Sequence, residues 1–108
     1  MSKATKVFKK LTKRAQSRCW AEISELETKL KAASSNDFKS TIGNYGARFE
    51  EFNGIKYLYA DARSLNSSLN SSGRGNFRYL FQPTELGYAF HGLAAHGVGN
   101  KPIYLGAV

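Results

Sequence analysis

Two arginines, Arg63 and Arg78, lie in the aromatic, glycine-rich part of the chain. Arginine is a residue type that binds phosphate groups in proteins. Arg78 lies inside the segment Phe77-Arg78-Tyr79, and Arg63 follows the apolar run 55–60. A guanidinium at such a place either forms an ion pair within the protein, with Glu50, Glu51 or Asp61, or binds a phosphate group through two parallel hydrogen bonds. The sequence leaves both interpretations open.

The two histidines have different surroundings. His91 lies within the apolar run 88–94, where a histidine is more often a core residue with satisfied hydrogen bonds, whereas His96 opens a loop of small residues. Their spacing of five places them on opposite faces of a regular strand, which makes them poor co-ligands for a metal. Because histidine exchanges protons near neutral pH, His96 is the better candidate for a general acid or base. Tyr104 is interpreted as a packing residue or as a contact to a phosphate or base.

The positive charge is concentrated near the N-terminus. Sixteen lysines and arginines against eight acidic residues give a net charge of +8, and residues 1–18 contain no acid but seven cations: Lys3, Lys6, Lys9, Lys10, Lys13, Arg14 and Arg18. Such a segment contacts phosphate backbones, docks onto an acidic protein, or forms a solvated helix face. The sequence does not separate these three interpretations.

Several classes of protein are excluded by composition. One cysteine, Cys19, excludes an internal disulfide framework, and one cysteine with two histidines makes a structural zinc site improbable. The chain has no P-loop, HExxH or GxSxG motif. We expect no membrane span, because no apolar run approaches ~20 residues, and no secretory signal, because no apolar segment follows the basic start. A cytoplasmic location is therefore predicted.

The elements that must position these residues begin with helices. Apolar residues recur at steps of three and four through the first third of the chain, at Phe8, Leu11, Ala15, Cys19, Ile23, Leu26 and Leu30. This pattern fits one long helix or a helical hairpin in which Thr12 caps a second helix over about residues 13–32.

Antiparallel strands are predicted after Gly43. Alternating apolar runs at 47–52, 55–60, 76–82 and 88–94 are separated by an Asn53-Gly54 turn, an exposed Ser/Asn-rich loop over 64–75 and a turn over 83–87. Residues 103–105 form a last short strand or a terminal segment. We therefore predict an α+β fold with two N-terminal helices on a four-stranded antiparallel sheet, as one domain over 1–108 with a basic helical part at 4–33 and a sheet part at 46–105.

Taken in order, four segments resemble the RelE/HigB-like toxin superfamily of bacterial and phage toxin–antitoxin systems. They are KVFKKLTKRAQSR, IKYLYADAR, GNFRYLFQ and YAFHGLAAHGVGNKP, and residues 75–102 carry the closest likeness. The resemblance implies a RelE-like fold and a metal-independent endoribonuclease that cleaves mRNA, on the ribosome in many members, and is neutralised by a cognate antitoxin. In such enzymes the ribose 2′-OH attacks the adjacent phosphorus.

By position, the resemblance implies that Arg78 holds the scissile phosphate and that Arg63, His96 and Tyr104 complete the catalytic set. The predicted RNA-binding residues are Lys6, Lys9, Lys10, Lys13, Arg74 and Lys101. No metal, cofactor or membrane partner is implied. The alternatives are a non-catalytic nucleic-acid-binding module, encoded by a phage for example, and a small module that binds an acidic protein.

Overall fold

The computed structural model describes residues 1–32, 42–69, 76–97, 99 and 101–108. Two helices, α1 (Lys3–Lys9) and α2 (Lys13–Ala32), precede a 3-10 turn at Gly43–Tyr45. The sheet then follows as β1 (Arg48–Phe52), β2 (Ile55–Asp61), β3 (Phe77–Thr84), β4 (Gly87–His96) and β5 (Pro102–Ala107), with a short helix α3 (Arg63–Ser68) between β2 and β3. The predicted α+β class with N-terminal helices and an antiparallel sheet is confirmed.

The sheet has five described strands in the order β1-β2-β3-β4-β5, not the four that were predicted. The additional strand is the segment that the sequence left undecided, because Ile103 pairs with Ala95 and Tyr104 with Ala94 of β4. All neighbouring strands are antiparallel.

The helical hairpin, and not one long helix, is the structure of the first third. The Thr12 hydroxyl accepts a hydrogen bond from the Ala15 amide at 3.1 Å, which is the N-cap contact that starts α2. The Gln16 side-chain amide donates to the carbonyls of Phe8 and Leu11, at 3.1 and 3.2 Å, and so ties α2 to the last turn of α1 and to the link between the two helices.

The helices cover one face of the sheet. The apolar residues that recur at helical spacing are all buried there, against a second set of buried side chains that includes Leu58, Tyr79, Phe81 and Leu93. The alternating run predicted over residues 76–82 is a strand, in which Tyr79 and Phe81 face the helices and Leu80 belongs to the cluster on the other face.

The other face of the sheet, which we call the curled face, carries a second apolar cluster. Tyr57, Tyr59, Leu80 and Ala94 are buried there with Phe52 and Tyr104 packed against them. The ring of Phe52 on β1 lies 5.5 Å from that of Tyr104 on β5. Four strand spacings of about 4.8 Å would separate these strands by roughly 19 Å in a flat sheet, so the sheet is strongly curled.

Part of the segment predicted as an exposed loop is helical, and this corrects the sequence analysis. Residues 63–68 form α3, Leu65 is fully buried, and the Asn66 side chain bonds both the carbonyl and the amide of Phe77, at 3.0 and 2.8 Å. The rest of that predicted loop, residues 70–75 with Arg74, lies outside the described residues.

Among the described helices, none is both long and apolar enough to cross a membrane.

Candidate active site

One hollow on the curled face is lined by charged and polar side chains from four strands. Its volume is about 250 Å³ and its lining residues are Gly46, Arg48, Tyr59, Asp61, Arg78 and His96. We call it the Arg78 hollow. It contains an imidazole, a carboxylate, a phenol and two guanidiniums, and the two arginines against one aspartate give a formal charge of +1 when the histidine is neutral.

Strand register brings these side chains to one place. Asp61 of β2 is directly opposite Arg78 of β3, and Arg48 of β1 is opposite Tyr59 of β2. Directly opposite residues in an antiparallel sheet share a face. His96 lies two residues beyond Ala94, the partner of Arg78 on β4, so it projects to the same side.

Arg78 is held in a fixed orientation at the hollow. Its Nε lies 2.9 Å from Asp61 Oδ1, its Nη1 donates to the Phe77 carbonyl at 3.0 Å, and its Cζ lies 5.8 Å from the Tyr59 ring centroid. Only 17% of the Arg78 side chain is exposed, against 38% for Asp61. The internal ion pair considered from the sequence is thus present with Asp61, and the same guanidinium also lines the hollow.

Arg48 is a site residue that the sequence analysis did not single out. Its Cζ lies 4.8 Å from the Tyr59 ring centroid, and its Nε lies 2.9 Å from Glu50 Oε1. Tyr59 therefore has a guanidinium on either neighbouring strand, Arg48 on β1 and Arg78 on β3. The signal that could have found Arg48 was the Asn53-Gly54 turn, which fixes the β1–β2 register and pairs residue 48 with 59.

Gly46 brings backbone close to the carboxylate of the hollow. It adopts a left-handed conformation, with φ of +64°, and a Cβ placed there would lie 3.3 Å from Asp61 Oδ2. Both the backbone conformation and the close approach favour glycine at this position.

Two of the four predicted catalytic residues, Arg63 and Tyr104, lie outside this hollow. Arg63 stacks on the Tyr45 ring at 4.0 Å, donates to the Asn44 carbonyl and lines a different hollow. Arg63 lies away from the Arg78 hollow because α3 begins at residue 63, where the sequence predicted only a strand end and a loop. The structure therefore unites Arg78 and His96, but not Arg63 or Tyr104.

Tyr104 belongs instead to a polar aromatic cluster with His91. The two side chains are joined by a 2.7 Å contact between His91 Nε2 and the Tyr104 hydroxyl, and the Tyr57 hydroxyl lies 3.4 Å from the same nitrogen. Burial lowers the pKa of His91, which favours the neutral imidazole.

The predicted opposition of the two histidines is wrong. The β3–β4 register steps from Leu80 opposite Gly92 to Phe81 opposite Phe90, and His91 is the extra residue of this β-bulge. A bulge changes the parity of side chains along a strand, so His91 and His96 both project onto the curled face.

The predicted RNA-binding lysines form a surface apart from the hollow. Lys6, Lys9, Lys10 and Lys13 are all exposed on or beside helices that cover the opposite face of the sheet. None of these four forms an ion pair with another described residue. Lys101 is exposed next to Pro102, which pairs with His96, so it lies at the hollow's end of β4.

In the described part of the chain, no three His, Cys, Asp or Glu side chains come together as a set of metal ligands. Comparison of the chain with protein-family models, with curated proteins and with solved structures finds no match in any of the three.

Proposed function

We propose that this protein is a metal-independent endoribonuclease of the toxin type, with the Arg78 hollow as its active site. The observation that carries the proposal is that an imidazole, a carboxylate and two guanidiniums line one small hollow. Cleavage of RNA by its own 2′-hydroxyl needs a proton acceptor, a proton donor and positive charge around the phosphate, and these groups can supply all three.

The proposed reaction assigns a role to each group. A base removes the proton of the 2′-hydroxyl, the 2′-oxygen bonds to phosphorus, and the bond from phosphorus to the 5′-oxygen breaks as an acid protonates that oxygen. The products are a 2′,3′-cyclic phosphate and a 5′-hydroxyl. We assign proton transfer to His96 and Asp61, and charge stabilisation at the non-bridging oxygens to Arg78 and Arg48.

The substrate and partners follow from the same proposal. An mRNA, free or bound on the ribosome, is the proposed substrate, and a cognate antitoxin is the proposed inhibitor. The exposed lysines Lys6, Lys9, Lys10 and Lys13 suit either contact, since ribosomal RNA and an acidic antitoxin both present negative charge.

The test measures cleavage of a labelled transcript in buffer with a chelator, for wild type, Arg78→Lys, His96→Gln and the control Arg14→Gln. Arg14 is exposed on α2 and lines neither hollow. We expect wild type and Arg14→Gln to cleave equally, and the other two variants to lose about a hundredfold or more in rate. Cleavage that stops with the chelator contradicts metal independence, and wild-type rates in both site variants contradict the assigned site.

A second candidate is a non-catalytic module that binds nucleic acid through its helices. Seven cations on α1, its end and early α2 are exposed and form no ion pair within the described residues, and these helices pack on the face opposite the hollow. This candidate is favoured if RNA binding weakens steeply with salt, no product forms, and His96→Gln binds as wild type does.

A further inference from the structure

A second cationic hollow lies between α2 and α3. It has a volume of about 190 Å³ and is lined by Arg18, Arg63, Ser64 and Ser67. We call it the Arg18 hollow. Its lining carries two guanidiniums, two hydroxyls and no acid.

The guanidinium of Arg63 is oriented before any ligand binds. It stacks on the Tyr45 ring at 4.0 Å and donates to the carbonyl of Asn44. Neither Arg63 nor Arg18 forms an ion pair with a carboxylate of the described residues. An oriented arginine without an acidic partner retains donors for an anion and loses little side-chain entropy on binding one.

Glu22 is the acidic residue closest to this hollow along α2, one turn beyond Arg18, and it is already engaged. Its Oε1 accepts hydrogen bonds from the Ser64 amide at 2.9 Å and from the Tyr79 hydroxyl at 2.7 Å. The carboxylate therefore ties α2 to α3 and β3. The lining residues themselves carry a formal charge of +2, and the Glu22 carboxylate lies behind them at the Ser64 amide. Two guanidiniums with hydroxyl donors form the kind of donor set that recognises a phosphate group.

The two hollows are neighbours along the chain. Asp61 lines one and Arg63 the other, and two residues of extended chain span at most about 7 Å. Tyr45, which holds Arg63, directly precedes Gly46, which lines the Arg78 hollow. The Arg78 hollow opens on the curled face and Arg18 lies on a helix that covers the other face, so one nucleic-acid strand would join the two hollows by passing around the end of the sheet at Asp61 and Arg63.

We propose that the Arg18 hollow binds a backbone phosphate of the RNA strand, next to the linkage held in the Arg78 hollow. The inference rests on the proposed function for the identity of the strand. It defines the substrate class as single-stranded RNA longer than a dinucleotide, because a dinucleotide has only one internucleotide phosphate and cannot occupy both hollows.

The experiment measures binding of 2′-O-methyl oligouridylates, which cannot be cleaved, to wild type, Arg18→Gln, Arg78→Lys and Arg14→Gln. Arg14 and Arg18 are both exposed arginines one turn apart on α2, so Arg14→Gln removes the same charge outside either hollow. We expect Arg18→Gln to weaken binding of an octanucleotide about tenfold and that of a dinucleotide less than about twofold. Arg14→Gln should change either affinity less than about twofold.

A local readout accompanies the affinities. In NMR spectra of the labelled protein, the amide signals of Ser64 and Ser67 should move on addition of the octanucleotide to wild type and Arg14→Gln. The same signals should not move in Arg18→Gln. Retention of these shifts in Arg18→Gln overturns the inference.

The remaining outcomes separate this inference from the proposed function. Equal weakening by Arg18→Gln and Arg14→Gln overturns the phosphate site and leaves cleavage at the Arg78 hollow standing. Octanucleotide binding that depends on Arg18 but not on Arg78 supports the phosphate site and counts against the proposed active site. Shifts at Ser64 and Ser67 with inorganic phosphate but with no oligonucleotide overturn the assignment to a strand, because the occupant is then free phosphate.

Discussion

Arg78 shows how one residue combines two roles that its sequence context presents as alternatives. It pairs with Asp61 at 2.9 Å and it lines the hollow that also holds His96. Because Asp61 is 38% exposed, water shares in the solvation of this pair, and the pair contributes little to stability. Its consequence is orientation, since the carboxylate fixes the guanidinium relative to Tyr59.

His91 gives a prediction for the pH dependence of stability. Burial lowers its pKa in the folded protein, where the hydroxyls of Tyr57 and Tyr104 face its Nε2, while the unfolded chain takes up this proton near pH ~6.5. Stability from this group is therefore present above about pH 6.5 and is lost as the pH falls through the lower folded pKa. We expect the free energy of unfolding in urea to fall less in His91→Gln than in wild type when the pH is lowered from neutral to mildly acidic.

The control for this measurement is His96→Gln, which removes an exposed histidine from the same strand. It should show the same decrease in unfolding free energy as wild type. An equal decrease in wild type and His91→Gln would contradict the prediction.

Single-residue reasoning from sequence succeeded where strand periodicity was regular and failed where it was not. Residues 76–82 were correctly predicted as an alternating strand, and that alternation puts Arg78 on the face opposite Tyr79 and Phe81. The relation of His91 to His96 was wrong because a bulge adds a residue, and nothing in the segment Phe90-His91-Gly92 except the glycine marks it.

Among the elements, α2 is joined to the bulged strand β4 by the side chain of Glu27. The Glu27 carboxylate accepts a hydrogen bond from the Phe90 amide, the residue just before the bulge, at 2.7 Å. The bulge disturbs the regular pairing of the ladder here, so the helix supplies an acceptor for this amide.

This contact gives a prediction with a matched control on the same helix. Glu27→Ala leaves the half-buried Phe90 amide without its acceptor, and we expect a loss of about 1–3 kcal/mol in the free energy of unfolding. Glu25→Ala removes only an exposed i,i+4 pair with Lys29 at 3.3 Å and should cost less than about 0.5 kcal/mol. Urea denaturation of both variants measures these losses in the free energy of unfolding. Equal losses would show that the Glu27–Phe90 hydrogen bond stabilises the fold no more than the exposed Glu25–Lys29 pair does.

At the level of elements, a turn could be predicted from its own residues. Elements whose order depends on contacts with distant residues could not. The Asn53-Gly54 turn was correctly predicted, and both residues adopt positive φ, at 53° and 79°. The helix α3 was missed because its Ser/Asn-rich sequence has low apolar content, and its order depends on burial of Leu65 and on the bonds of Asn66 to a distant strand. The strand β5 was left undecided because its uninterrupted apolar run has only three residues, 103–105, between Pro102 and Gly106.

In the molecule as a whole, the main cluster of positive charge lies away from the proposed active site. The exposed cations of residues 1–18 lie on helices that cover one face of the sheet, and the Arg78 hollow opens on the other. The α+β class followed from the order of helical and alternating segments. The hollow could not be predicted in full because it depends on curvature and register, which bring residues 46, 48 and 96 beside Arg78.

The contact between Phe52 and Tyr104 has a consequence for folding kinetics. Every described pair of neighbouring strands is also consecutive in the chain, so each pairing forms at small sequence separation, whereas this contact joins residues about half the chain apart. It can form only after the strands between them are in register, which places it late on the folding path.

Late contacts affect the rate of unfolding and leave the rate of folding nearly unchanged. In stopped-flow measurements, Phe52→Leu should therefore accelerate unfolding and leave the refolding limb in place, whereas Leu80→Ala in the central strand should slow refolding. A slowed refolding limb in Phe52→Leu would place closure of the curled face in the folding nucleus. If the refolding limb stays in place, the curl that shapes the proposed site determines how long the native protein persists before it opens.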